Sequence, residues 1–289
     1  MNASGKKFAK ESLPNEYFHG FHAGNVGDVW KHVVLLSVLE DLIGVSAALQ
    51  VVDCYAGAGG YRLSGAGEWS EGIAALSKAS SSPQDPAVER YLKLVLHRFS
   101  AEHFYSGSPL LIEALLRAQD KLRCFETNSE ACRQLISQVS PKTEVVDGDG
   151  LGGLLDAVRS AARDNTSLFA LIDPPWVKKE DWQSIPRAVV EAWKIRPQAT
   201  LLLWYPIKSY TRVNAMIKTF EVAGLPAAVL DLITTPLEQQ KNRLNGSGLI
   251  LVNPRQRVLE EIARAGIRIG SACATYKSYW ALRISHLPR

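Results

Sequence analysis

Residues 167–182 read SLFALIDPPWVKKEDW. The first part, Ser167 to Ile172, is an apolar run of strand length, the pattern of a strand buried on both faces. It stops at Asp173, and two prolines and a tryptophan follow. Proline fixes its own φ and pushes the residue before it into extended geometry. Asp173 and Pro174 are therefore both kept out of the helical region, and the strand end is stiff. It presents one carboxylate and one or two carbonyls, with no proline amide to compete for them. Such acceptors suit a planar amine, and Trp176 adds a flat apolar surface beside them. An exocyclic base amine is a poor nucleophile because its lone pair is delocalised into the ring. Accepting its two N–H bonds through Asp173 and the Pro174 carbonyl pyramidalises the nitrogen and frees the lone pair for an electrophile. The plainer reading of the same tetrapeptide is a rigid strand exit with Trp176 in the core.

Working outward, similar runs recur at ALQVVDCYA (48–56), LRCFET (122–127), TEVVDGD (143–149), ATLLLWYP (199–206), AAVLDLIT (227–234) and SGLILVNP (247–254). With 167–175 they predict seven strands. Segments with apolar residues at three- and four-residue spacing lie between most of them, which makes βαβ units and a mostly parallel sheet covered on both faces. The last two strands are joined by TPLEQQKNRLNG, which has no apolar face, so the seventh strand is expected to return antiparallel beside the sixth. A helix, DVWKHVVLLSVLEDLIG, with Asp28 near its start, precedes the first strand. The fold class is thus α/β, a Rossmann-like seven-stranded sheet with its last strand antiparallel.

One spacing departs from a simple nucleotide-binding unit. Asp53 and the acid ending the second strand, Glu126, are 73 positions apart, where an uninterrupted βαβ unit needs roughly 20. The surplus predicts a small helical insertion over residues 64–104, placed over one edge of the sheet, within a single domain spanning 1–289. Residues 1–16 read as a mobile extension.

Composition narrows the class. Apolar residues make up 46% and charged residues 21% of the 289, an ordinary globular mix. No apolar run is long enough to span a bilayer, and the polar N-terminus lacks the apolar stretch of a secretory leader. The four cysteines show no CxxC spacing, which points to reduced, buried thiols and a cytoplasmic setting. The net charge of +4 permits a phosphate-bearing partner without demanding one.

In an open parallel sheet, ligands sit outside the carboxyl ends of the strands. After the first strand comes DCYAGAGGYRL (53–63), where glycines let the backbone approach a ligand closely, without the full GxGxxG spacing of a dinucleotide fingerprint. Glu126 can accept from ribose hydroxyls or be a solvated strand-end acid. Asp149, in DGDGL, can accept from an adenine amino group or cap the helix that follows.

DPPW is a variant of the [DNS]PP[YFW] signature of S-adenosylmethionine-dependent amino-methyltransferases. YFHGFHAGNVGDVWKH (17–32) resembles the opening of the RlmJ-type 23S ribosomal RNA adenine-N6 methyltransferases. The resemblance continues through DCYAGAGGYRL, YSGSPLLI (105–112), DGDGL, LIDPPW, LWYP (203–206) and SGLILVNP, from about Tyr17 to Pro254. It implies a methyltransferase sheet, S-adenosylmethionine as cofactor and 23S ribosomal RNA as partner, in free or early-assembly form. No protein partner is implied, and neither a membrane nor a metal is expected. It implies direct methyl transfer to adenine N6 of a flipped-out base, with Asp173 catalytic. Cofactor contacts would fall on His32, Tyr55, Ser108, Glu126, Asp149 and Gly150. Tyr17 would handle the substrate base, with His19, Lys31 and Trp176 beside it.

Plainer roles exist for several of these. His19 and His22 can cap a folded N-terminal segment, and Lys31 and His32 can be ordinary helix side chains. His19, His22 and His32 lack a known metal-ligand spacing. Three positions depart from the family pattern: Tyr55 stands where relatives often have histidine, Trp176 replaces the usual tyrosine, and Phe18 replaces a basic residue. Two other functions share the motifs: a DNA adenine-N6 methyltransferase, and a non-catalytic nucleic-acid-binding protein connected with the use of external DNA.

Overall fold

The computed structural model describes residues 22–63, 65, 67–79, 85–239 and 244–288. The chain opens with α1 (Val26–Val45), followed by β1 (Leu49–Asp53) and β2 (Gly60–Arg62). Then come α2 (Ile73–Lys78), α3 (Pro86–Glu102), β3 (Phe104–Ser106) and α4 (Ser108–Glu113). A regular alternation follows: β4 (Lys121–Glu126), α5 (Ser129–Gln138), β5 (Glu144–Asp147), α6 (Gly150–Asp164), β6 (Ser167–Ile172), α7 (Asp181–Ile195), β7 (Thr200–Ile207) and α8 (Tyr210–Ala223). It closes with β8 (Ala227–Ile233), β9 (Gly246–Val252), α9 (Gln256–Cys273) and β10 (Ala281–His286).

The sheet has eight strands in the order β10-β8-β9-β7-β6-β1-β4-β5. β9 lies antiparallel between β7 and β8, as its non-helical link predicts. The expectation of seven strands is corrected by β10, which pairs antiparallel with the outer side of β8. β10 is an edge strand, and its side chains are mostly half-buried or exposed, so it lacks the continuous apolar run that marks the others.

Strand side chains alternate between two apolar layers. Val51, Cys124, Phe169, Leu171 and Leu202 face one layer, with α1 and α9. Val52, Phe125, Leu168, Ala170, Ile172 and Leu203 face the other, with α6, α7 and α8. In α6 the stripe Leu154, Ala157, Val158 and Ala161 is buried. Each large side chain there contributes about 1.5–3 kcal/mol on burial. α1 differs, because every residue from Gly27 to Leu39 is buried. A helix buried all round must be covered on its outer side too.

That cover is the insertion. Between β2 and β3, which pair with each other, a 3-10 turn at Glu68–Ser70 and helices α2 and α3 emerge. α3 packs on α1 and α9, and α2 on α9. The insertion therefore forms a second layer above these helices rather than covering a sheet edge. Arg90 of α3 bridges to Glu40 and Glu261 across this contact. The four cysteines are buried and unpaired. No helix among the described residues is long and apolar enough to cross a membrane.

After β1 the chain runs outward to β4 and β5, then returns to place β6 on the other side of β1. The switch point lies between β1 and β6, so the loops after Asp53 and Ile172 open on one crevice.

Candidate active site

Asp173 follows β6 directly, and its Oδ2 accepts a hydrogen bond from Lys31 Nζ at 2.5 Å. Lys31 is 4% exposed, and it also donates to Asp28 Oδ1 at 2.7 Å. Burial alone pulls the ammonium toward its neutral form, but the Asp173 and Asp28 carboxylates outweigh this and hold its pKa above the usual lysine value. Asp28 is itself tied down: its Oδ2 accepts from Gly24 N at 3.0 Å, and its amide donates to Asn25 Oδ1, the cap of α1. Glu68 of the insertion accepts from His22 Nδ1 and Asn25 Nδ2. The HAGN turn thus serves as a clamp on the start of α1, and α1 delivers Lys31 to Asp173.

Asp53 ends β1 on the same sheet face and is fully buried. Burial and the nearby Asp173 charge push its carboxyl up to about 6 against the opposing bonds from the Ser108 hydroxyl and the Tyr55 amide. Its Oδ2 is buried with no hydrogen-bond partner. Ser108, a predicted cofactor contact, is buried beside Asp53. Glu126 is held by two backbone amides, Gly57 N at 2.9 Å and Asn128 N at 2.8 Å, one on each oxygen. Gly57 adopts φ +59, open to glycine at no steric cost, which lets the loop turn back on Glu126.

Asp149 is the N-cap of α6, accepting from Leu151 N at 3.2 Å and Gly152 N at 2.9 Å. Of the two readings open for it, capping is the one seen. Gly150 must be glycine, since a Cβ there would run into the Cys54 carbonyl. Tyr55 is half-buried, and burial raises its phenol well above the usual value. His32, next to Lys31, meets the Tyr105 hydroxyl through Nδ1 at 2.8 Å.

Trp176 takes the plainer of its readings. It is 8% exposed, donates from Nε1 to the Trp204 carbonyl at 3.1 Å, and packs on Trp182 with ring centroids 4.3 Å apart. Its φ of +53 is an outlier for a bulky residue and turns the chain sharply at the strand exit. It anchors that exit from below rather than offering an open stacking face. The half-buried aromatic beside Asp173 is instead Trp204, brought there by the register Ile172 to Leu203. Tyr17, Phe18 and His19 lie outside the described residues. Sequence reasoning missed Asp53, Asp28's link to Lys31, and Trp204; the LWYP motif was the available signal for the last.

Fold, switch point and strand-end carboxylates together define a Rossmann-like α/β methyltransferase fold. Residues 46–281 match the family described as Ribosomal RNA large subunit methyltransferase D, RlmJ, and the chain belongs to that family. It is 30% identical over 256 residues to Ribosomal RNA large subunit methyltransferase J of Escherichia coli strain K12, covering 85% of this chain and 89% of that one. It is 31% identical over 248 residues to the protein of the same name from Haemophilus influenzae, covering 82% and 86%. A crystal structure of a Legionella pneumophila protein shares the fold, with a TM-score of 0.81 at 22% identity over 92% of this chain and 98% of that one.

Proposed function

We propose that this protein methylates the exocyclic N6 of an adenine in 23S ribosomal RNA, using S-adenosylmethionine. The observation that carries the reading is Asp173, held at the switch point by a buried lysine and followed by two prolines. The names of the Escherichia coli and Haemophilus influenzae relatives support ribosomal RNA as the substrate.

The crevice suits a cationic cofactor. Asp53, Glu126 and Asp173 put three carboxylates at the ends of neighbouring strands, and one oxygen of Asp53 is buried without a partner. His32, Tyr55, Ser108, Glu126, Asp149 and Gly150 would hold S-adenosylmethionine, which supplies an electrophilic methyl group on a sulfonium. The protein contributes alignment and electrostatics. Lys31 occupies Oδ2 of Asp173 and fixes the carboxylate, so that Oδ1 and the Pro174 carbonyl face the amine. Asp173 orients N6 first and receives its proton once methylation has made it acidic.

The target base must leave its stack, at a cost of a few kcal/mol where paired. Stacking returns roughly 1–3 kcal/mol; Tyr17 and Trp204 supply it, Trp176 being committed to the core. Lys178, Lys179, Lys208 and Arg212 are exposed around the ends of β6 and β7 and meet phosphates. A flipped adenine requires accessible RNA, which favours free or early-assembly 23S ribosomal RNA.

Incubation of the protein with labelled S-adenosylmethionine and either a 23S ribosomal RNA transcript or duplex DNA tests this. Nuclease digestion and mass mapping should find N6-methyladenosine at one adenine of the RNA. Label in DNA alone, or on another base, refutes the assignment.

A further inference from the structure

Two buried tyrosines, one in the insertion and one in the strand that closes it, form a chain that ends on His32. Tyr91 of α3 and Tyr105 of β3 have their hydroxyl oxygens 3.1 Å apart, and Tyr105 lies 2.8 Å from His32 Nδ1 with the two rings stacked. Both tyrosines are 0% exposed and His32 is 1% exposed. Burial pushes both phenols well above their usual pKa, so each keeps its proton.

The direction of this chain follows from counting hydrogens. Were His32 to donate from Nδ1, the single contact between Tyr91 and Tyr105 could use only one of their two hydroxyl hydrogens, and the other would have no acceptor among the described residues. In the opposite direction Tyr91 donates to Tyr105 and Tyr105 donates to Nδ1, so every hydroxyl hydrogen is used. Only a lone pair of Tyr91 is then left over, the smaller loss. We infer that Tyr91 and Tyr105 act as positioning residues that set His32 as its Nε2–H tautomer, making it a hydrogen-bond donor to an acceptor group of the cofactor, such as its carboxylate. This rests on the reading of His32 as a cofactor contact. It gives the insertion a role in binding, because Tyr91 of α3 reaches His32 of α1 through Tyr105 of β3.

Two measurements on the full chain test the relay separately from that reading. In nitrogen-15 spectra of the histidine-labelled protein, with His32 assigned by loss of its signals in His32→Gln, Nδ1 should appear as an unprotonated hydrogen-bond acceptor and Nε2 as protonated. The reverse pattern overturns the relay. In calorimetric titration with S-adenosylhomocysteine, Tyr105→Phe should weaken binding about fivefold and Tyr91→Phe about twofold. The double variant should bind no more weakly than Tyr105→Phe, because Tyr91 acts only through Tyr105. The turnover rate at saturating cofactor should stay within about twofold, since the loss lies in binding. Independent, multiplying losses overturn the relay. Absence of binding by the wild type overturns the cofactor reading instead, and the histidine spectrum still decides the tautomer.

Discussion

Asp231 and Asp173 are both carboxylates held by cations, and they end up in opposite conditions. Asp231 of β8 is 1% exposed, and both its oxygens are taken: Tyr205 bonds Oδ1, while Tyr210 at 3.3 Å and Arg283 at 2.6 Å bond Oδ2. Asp173 has one oxygen on Lys31, keeps 14% exposure, and sits where β6 ends at the switch point. The first is a closed cluster that ties β7, β8 and β10 together across β9. The second is closed on its protein side and left with acceptor capacity on the other. Burying an acid beside a base is therefore no mark of a reactive site; the unspent acceptor at the carboxyl end of a central strand is.

The comparison breaks or sharpens with substitutions on each side. Lys31→Met leaves Asp28 and Asp173 buried without their cation, so stability should fall by about 3–5 kcal/mol. Single-turnover methyl transfer should fall about a hundredfold, as the carboxylate loses its fixed geometry. Urea unfolding and a quenched transfer assay read the two effects separately. Asp231→Asn should cost about 1–3 kcal/mol in the same unfolding experiment, yet leave transfer within about twofold. A folded Asp231→Asn protein that cannot transfer methyl groups would erase the distinction between the clusters.

Asp53 gives a test through pH. Its folded pKa, about 6, lies above the ordinary aspartate value of 3.8, so the folded state binds this proton more tightly. The contribution to stability is full below about pH 4 and is lost as pH rises through about 6, on the order of 3 kcal/mol in all. Asp53→Asn should remove that part of the pH dependence and unfold at higher urea than the wild type at pH 7. An unchanged pH dependence would mean that Asp53 is not buried as described. The smallest effect is expected at Trp176→Phe, which loses one hydrogen bond worth about 1 kcal/mol and little transfer activity. A large loss of transfer with stability intact would return Trp176 to the base-binding surface.

The same contrast shows what a sequence can and cannot disclose. β1 and β4 to β9 carry apolar runs because central strands are buried on both faces, and those runs are visible one residue at a time. β10 is an edge strand with a half-exposed pattern, and β2 and β3 are three residues each, so neither has a periodicity to read. Asp173 stood out because prolines act locally on the residue before them. Lys31 lies 142 positions away, and only folding brings its ammonium to that carboxylate. Asp149 was ambiguous for a physical reason: a carboxylate at a helix start satisfies backbone amides and ligands with the same lone pairs. Trp176 shows the converse: an aromatic that reads as a platform also carries an N–H, and that group finds the Trp204 carbonyl.

The central claim is that Asp173 acts on the substrate amine in the transfer step. The direct measurement is Asp173→Asn, assayed in parallel for S-adenosylhomocysteine binding by calorimetry and for single-turnover methylation of a 23S ribosomal RNA transcript. The variant should bind the cofactor product within about threefold of wild type while transfer falls at least about a thousandfold. Transfer within tenfold of wild type by a folded Asp173→Asn protein would contradict the account.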